Sequence, residues 1–242
     1  MTIIIPMAGL SSRFSKAGFT LPKYMLYVNN KSLFNLAVSS FGKYFKTCKF
    51  VFITRDVFDT PRFVKEECDL LGIEQYQVVV TEPTRGQAET VYKGIVGAHI
   101  PDDESILIFN IDTFRPGFTF PADVEKWDGY LECFVGEGAN WSYAKTVDGT
   151  PATEVIETAE KKEISSFCST GIYHFKRACE FEKAYHENET TPINGVKELY
   201  VAPLYNFLIR DKKQIHVDII KREEVLFCGV PREYEDYLKE NL

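Results

Sequence analysis

No apolar run in this 242-residue chain reaches the length of a membrane-crossing helix; the longest are strand-sized. The first residues carry neither a basic leader nor a long apolar segment, so no signal peptide and a cytoplasmic location are expected. Basic charge is in deficit: 28 Lys and Arg face 35 Asp and Glu, for a formal net charge of −7. That balance argues against a general nucleic-acid-binding role, yet leaves room for a local cationic pocket that grips a nucleotide. The six cysteines are scattered without a C-x-x-C pair, and the four histidines without H-E-x-x-H. Neither a disulfide frame, a zinc site nor a histidine-based centre is expected, and the thiols should be free. The phosphate loop G-x-x-x-x-G-K-[ST] is missing, as are the second and third glycines of the dinucleotide fingerprint. There is no internal repeat and no low-complexity linker.

What is present is a chain 45% hydrophobic, enough for a full core, read as a single domain. Residues 1–128 are expected to form a nucleotide-binding half and 129–242 an acceptor-binding half, as the loops and motifs described next imply. The opening run Ile3-Ile4-Ile5 predicts a buried strand that stops at Pro6. It delivers a small-residue loop, Ala8-Gly9-Leu10-Ser11-Ser12, followed by Arg13, Lys16 and Pro22-Lys23. Gly9 would let the backbone approach a ligand, the loop's N–H groups could line an anion nest, and Arg13 and Lys23 could neutralise phosphate oxygens.

Further along, Tyr24–Val28 reads as extended, and Ser32 as the N-cap of a helix reaching Phe45. Strands are predicted over Lys49–Thr54, Gln77–Thr81 and Ser105–Ile111, with helices over Pro61–Leu71 and Gln87–Ala98 between them. This alternation predicts an α/β, Rossmann-like open sheet, mainly parallel, with helices on both faces. From Gly129 the pattern changes to short strands at Tyr130–Val135, Trp141–Thr146, Thr153–Ile156 and Gly171–Phe175, expected to form a smaller, partly antiparallel substrate-binding sheet. Helices are expected over Arg177–His186, Lys197–Ile209 and Pro231–Glu240, and a last hairpin over Gln214–Ile220 and Val225–Phe227. Ligands of such sheets bind beyond the carboxyl ends of the strands. The loops 9–23, 82–86 and 110–113 should therefore meet.

Asp112 ends an apolar strand, and beside a cationic phosphate loop a carboxylate there suits Mg²⁺, which takes one or two carboxylates plus substrate phosphates. Glu82-Pro83-Thr84-Arg85-Gly86-Gln87 joins a strand to a helix; Pro83 and Gly86 can shape backbone against a flat base, and Gln87 or a main-chain amide could read its edge. Glu160 and Lys161 form a charge cluster that could orient an acceptor and hold its phosphate. Each feature alone also suits an ordinary turn or a solvated face. Together they point to nucleotidyl transfer, in which an acceptor phosphate attacks the α-phosphorus of an NTP and pyrophosphate leaves. A phosphate monoester is already anionic at pH 7, so no general base is needed, in keeping with the absence of a Ser-His-Asp or Cys-His constellation.

These residues resemble the nucleotidyltransferases of the sugar-nucleotide pyrophosphorylase type. Ala8–Arg13 with Pro22-Lys23 match the opening motif, although Ser11 stands where a second loop glycine is usual. The resemblance implies that Arg13 and Lys23 hold the triphosphate and stabilise the transition state, and that Pro83–Ala88 recognise the base. It places Asp112 as the first metal carboxylate, Mg²⁺ as cofactor, and Glu160, Lys161, Ser169, Thr170 and Gly171 at the acceptor. Cys228-Gly229-Val230-Pro231 resembles a late Gly-Thr-Pro turn, but the second metal-binding Asp expected two residues before that glycine is Phe227; Asp218 is the candidate replacement. Within the family, Lys197–Asn206 is similar to capsule-locus members, a group that includes cytidylyltransferases joining CTP to phosphoglutamine. The partners so implied are CTP or another NTP and a small phosphorylated acceptor, with neither nucleic acid nor membrane; assembly into a homo-oligomer is left open. A sugar 1-phosphate is the alternative acceptor, and a non-catalytic nucleotide sensor is the alternative from another class.

Overall fold

The structure, a computed structural model, describes residues 1–191 and 198–241. From the N-terminus, β1 (Thr2–Pro6) leads through α1 (Ser12–Lys16) and the ribbon β2 (Tyr27–Val28) and β3 (Lys31–Ser32) into α2 (Leu33–Val38). Then come β4 (Lys49–Thr54), α3 (Thr60–Leu71), β5 (Tyr76–Val80), α4 (Gln87–Gly97) and β6 (Ile106–Phe109). The second half holds β7 (Thr113–Phe114), β8 (Gly129–Val135), β9 (Ser142–Thr146), β10 (Val155–Glu160) and β11 (Phe167–Phe175). It ends with α5 (Ala178–Thr190), α6 (Tyr205–Arg210), β12 (Ile215–Ile220), β13 (Leu226–Phe227) and α7 (Pro231–Glu240).

One nine-stranded sheet organises the molecule, in the order β10-β9-β11-β6-β1-β4-β5, with β8 on β11 and β12 on β8. Its first-half strands β6, β1, β4 and β5 are all parallel, as βα alternation predicts. Side chains on a strand alternate between faces. Ile4, Val51, Ile53, Ile106 and Ile108 thus enter one core with residues of α4, α5 and α6. Ile3, Ile5, Phe50, Phe52, Leu107 and Phe109 enter the other with residues of α2, α3 and α7. Both faces are covered, which is why these strands read as unbroken apolar runs rather than as alternation. Each such fully buried side chain contributes roughly 1.5–3 kcal/mol.

The second half does not close on itself. β11 lies antiparallel to β6, with Ile172 opposite Phe109, and so splices the antiparallel strands β8, β9 and β10 onto the parallel edge. Three predicted elements differ from the structure. The hairpin over 214–227 does not form: β12 runs parallel to β8, Ile215 opposite Gly129 and Ile220 opposite Phe134, while β13 pairs with β7, Phe227 opposite Thr113. A tight turn at Arg222–Glu224, where the Glu224 carboxylate accepts the Lys221 N–H at 2.8 Å, sends the chain towards Asp112 instead of back along β12. The start of the helix expected from Lys197 lies outside the described residues; the described part begins helical structure only at Ala202 and continues to Arg210. Leu199 stands outside any helix, its N–H donating to the Arg85 C=O and its C=O accepting from the Ala88 N–H. The Ser32 cap forms as predicted, but the α-helix it starts ends at Val38 and continues as 3-10 turns to Tyr44. Among the described residues no helix is long and apolar enough to cross a membrane.

Candidate functional site

Beyond the carboxyl ends of β1, β5 and β6, the loops predicted to meet do meet. They enclose a cavity of about 570 Å³ lined by Ala8, Gly9, Leu10, Ser11, Ser12, Lys23, Pro83, Gly86, Gln87 and Asp112. A second cavity, of about 580 Å³, shares Gln87, Asn110 and Asp112 with the first and extends over the second half, where Glu160, Lys161, Ser169, Thr170 and Gly171 line it. Arg13 lines the second cavity, not the first. Glu82 is exposed and lines neither. Asp112 thus stands at the junction of two spaces sized for small molecules.

The phosphate-loop geometry begins with where β1 stops. Met7 still bonds to Ile53, and the chain then bends so that Ser11 takes φ +49°, the left-handed region. Serine holds here the conformation a glycine would adopt without cost. A side chain at Gly9 would meet no protein atom within 4 Å, so the space above this residue is open to a ligand.

Lys23 donates to the Asp112 carboxylate. Burial works to raise the Asp112 carboxyl, but Lys23, with Arg13 beyond it, outweighs that and holds it below the usual carboxylate range. The Asp112 main chain is pinned by the Cys228 N–H, which donates to its C=O at 2.8 Å. Gly229 packs so closely that a Cβ there would lie 2.9 Å from Asp112 Oδ2. Glu233 caps α7 from the same side, accepting the Gly229 and Val230 N–H groups at 2.8 and 3.1 Å.

Gln87 donates to the Asn110 side chain between the two cavities. Asn110 in turn donates its N–H to the C=O of Gly171 at 3.1 Å. Gly171 has φ +93°, and a Cβ on it would be 2.4 Å from Asn110 Nδ2, so no other residue fits where the two halves touch. Arg85, although in the predicted base loop, is engaged by Glu89 and Glu189 and ties α4 to α5.

On the far side Glu160 accepts from Ser142, lies 3.8 Å from the Lys161 ammonium, and has its carboxyl raised by burial. Lys161 donates to the Tyr200 hydroxyl and sits 4.5 Å above that ring. Phe227 joins Trp141 as an aromatic wall, ring centroids 4.7 Å apart. Asp218 lines neither cavity. It sits opposite Glu132 on β8, where burial raises its carboxyl while Arg115 lowers it, and Arg115 is held by Glu132 at 3.1 Å. The structure therefore does not bring Asp218 to Asp112: its strand pairs with β8, and its charge belongs to the Arg115 cluster. Among the described residues no three His, Cys, Asp or Glu side chains gather into a metal cage. Trp141 and Glu233, which also line the second cavity, escape a motif reading because each lies in a stretch whose role depends on distant pairing.

No family model and no curated protein matches the chain. Among solved structures, a nucleoside-diphosphate-sugar pyrophosphorylase from Vibrio cholerae RC9 is 50% identical, with a TM-score of 0.93 over 98% of this chain and 99% of that one. An inositol-1-phosphate CTP transferase from T. maritima shares the fold at 12% identity, TM-score 0.73, covering 99% of this chain and 93% of that one. A UTP-bound UGPase from Acinetobacter baumannii does so at 15%, TM-score 0.70, covering 99% and 92%.

Proposed function

Because the chain belongs to the nucleotidyltransferase family of the nucleoside-diphosphate-sugar pyrophosphorylase kind, we propose that it joins the NMP of a nucleoside triphosphate to a phosphorylated acceptor across the two adjoining cavities. The observation that carries this is Asp112 at their junction, with Lys23 on it and Arg13 in the acceptor-side cavity. The triphosphate lies along Ala8–Ser12 with the base against Pro83–Gln87. An acceptor phosphate oxygen attacks the α-phosphorus, the bond from that phosphorus to the bridging oxygen breaks, and pyrophosphate departs. Lys23 and Arg13 neutralise charge that accumulates on the phosphoryl oxygens, and the two cavities hold nucleophile and leaving group in line. Glu160, Lys161, Ser169 and Thr170 orient the acceptor.

Asp112 fits Mg²⁺: its carboxylate already takes a cation, the Lys23 ammonium, and remains 27% exposed. With a single side-chain carboxylate the ion would complete its shell from phosphates and water, and when bound it would withdraw charge from the triphosphate.

Two acceptors each have support. The Vibrio relative favours a sugar 1-phosphate and hence a nucleotide sugar as product. The likeness of Lys197–Asn206 to capsule-locus members favours CMP transfer from CTP to phosphoglutamine, as in capsular polysaccharide modification, a reading that accommodates Phe227 where the resemblance expects a metal carboxylate. A pyrophosphate-release screen of four NTPs against hexose 1-phosphates, phosphocholine and phosphoglutamine decides. Release with hexose 1-phosphates alone removes the phosphoglutamine reading. Absence of pyrophosphate release with every acceptor, together with tight NTP binding, leaves a nucleotide sensor and removes the enzymatic reading.

A further inference from the structure

The same carboxylate that suits a divalent cation is engaged by the chain's own ammonium group. We propose that Lys23 and the divalent cation are alternative occupants of Asp112, so that the protein takes up the metal only when a triphosphate draws Lys23 away. The inference rests on the nucleotidyltransferase reading for the identity of the triphosphate. Its structural basis is independent of that reading.

Lys23 is built for such an exchange. Its backbone is fixed: Met25 N–H donates to Pro22 C=O at 2.9 Å, and the next residue, Tyr24, is buried with its hydroxyl 3.2 Å from Thr60 Oγ1. The side chain is a flexible four-carbon stem carrying a point charge. It lines the cavity together with Ala8–Ser12, so the ammonium can exchange the carboxylate for a phosphate without any backbone movement. Asp112 is equally fixed, by Cys228 from one side and by the close packing of Gly229 on Oδ2. The carboxylate therefore meets the Lys23 ammonium from a fixed main chain. With Lys23 and Asp112 only 21% and 27% exposed, a monovalent and a divalent cation on one carboxylate would repel each other through poorly screening surroundings. A triphosphate reverses this balance, because it offers the ammonium several anionic oxygens and the metal further ligands. Metal and nucleotide affinities are then coupled, each raising the other by the same factor.

The test is Mn²⁺ binding to nucleotide-free protein, followed by the loss of the free-ion paramagnetic resonance signal. Wild type should bind weakly, and Lys23→Met and Lys23→Gln should each bind about tenfold tighter or more, since removal of the ammonium leaves an unopposed carboxylate. Circular dichroism confirms that both variants fold, and Mn²⁺ alone should raise their melting temperature but not that of wild type. The gain must vanish in Lys23→Met combined with Asp112→Asn. Equal Mn²⁺ affinity in wild type and both Lys23 variants overturns the proposal, as does a gain that survives loss of Asp112. Pyrophosphate release by wild type separates the two readings. Release with no change in Mn²⁺ affinity rejects the exchange and keeps the transferase. A gain in Mn²⁺ affinity without release under any acceptor keeps the exchange and rejects the transferase.

Discussion

A methyl group at position 229 would stand 2.9 Å from Asp112 Oδ2, closer than real Cβ contacts allow. The atom that must give way is the tip of a side chain, so the fold can absorb the change, but that tip is the carboxylate at the junction of the two cavities. Gly229→Ala should therefore leave the melting temperature within a few degrees of wild type and lower kcat about tenfold or more, as small misplacements of positioning groups do. Steady-state pyrophosphate release beside a thermal melt checks this. A variant that melts normally and turns over normally would show that the Asp112 position is not critical. The position of Asp112 where the loops meet was legible in the sequence, since it closes an apolar strand at the carboxyl end, where the ligand loops of such a sheet gather. Gly229 falls in the Cys228–Pro231 turn that the resemblance singled out, but its contact with Asp112 comes from the pairing of β13 with β7, across more than a hundred residues of chain.

At the scale of elements, α2 is short and depends on its cap. Ser32 Oγ accepts the Asn35 N–H at 2.9 Å and donates to Glu67 Oε1 at 2.7 Å, and Asn35 Nδ2 donates to Glu67 Oε2 at 3.0 Å. This buried triad joins α2 to α3. Ser32→Ala removes the cap and leaves a buried carboxylate oxygen one donor short, so urea unfolding should show a loss of about 2–3 kcal/mol. In a double-mutant cycle with Glu67→Gln, a coupling of about 1 kcal/mol is expected, and a value near zero would mean that the triad does not act as a unit. The cap was legible from Ser32 alone, and β4 from Lys49-Phe-Val-Phe-Ile-Thr54 to the residue. The hairpin over 214–227 was misread because two apolar stretches around a charged turn suit a hairpin as well as two unrelated strands. Only the free edge of β8 and the short strand at Thr113 decide between them.

For the whole molecule, β11 is the element that makes two halves into one, and His174 sits one residue before its end. It pairs with Leu107 of β6 and with Tyr130 of β8, its ring stacks on Tyr130 at 5.1 Å, and its Nε2 lies 2.9 Å from Ser105 Oγ. Its Nδ1 is buried with no hydrogen-bond partner among the described residues. Burial, with a smaller effect of Lys176, depresses its pKa to about 3. The unfolded chain titrates this group near its ordinary value of about 6.5. Between pH 6.5 and 3 the unfolded state therefore binds more protons than the folded one, and the contribution of His174 to stability, fully present above pH 6.5, is lost as pH falls. At pH 5 the loss is about 2 kcal/mol. Glu132, pushed up to about 7 by burial despite Arg115, works in the opposite sense, as do Glu160 and Asp218, whose carboxyls burial also raises. The quantity to measure is accordingly the difference between wild type and His174→Gln in urea unfolding at pH 8, 6.5 and 5. The variant should be less stable than wild type at pH 8, because it loses the stacked ring, and the gap should narrow by about 2 kcal/mol at pH 5. A gap that stays constant with pH would mean that His174 does not carry the acid sensitivity.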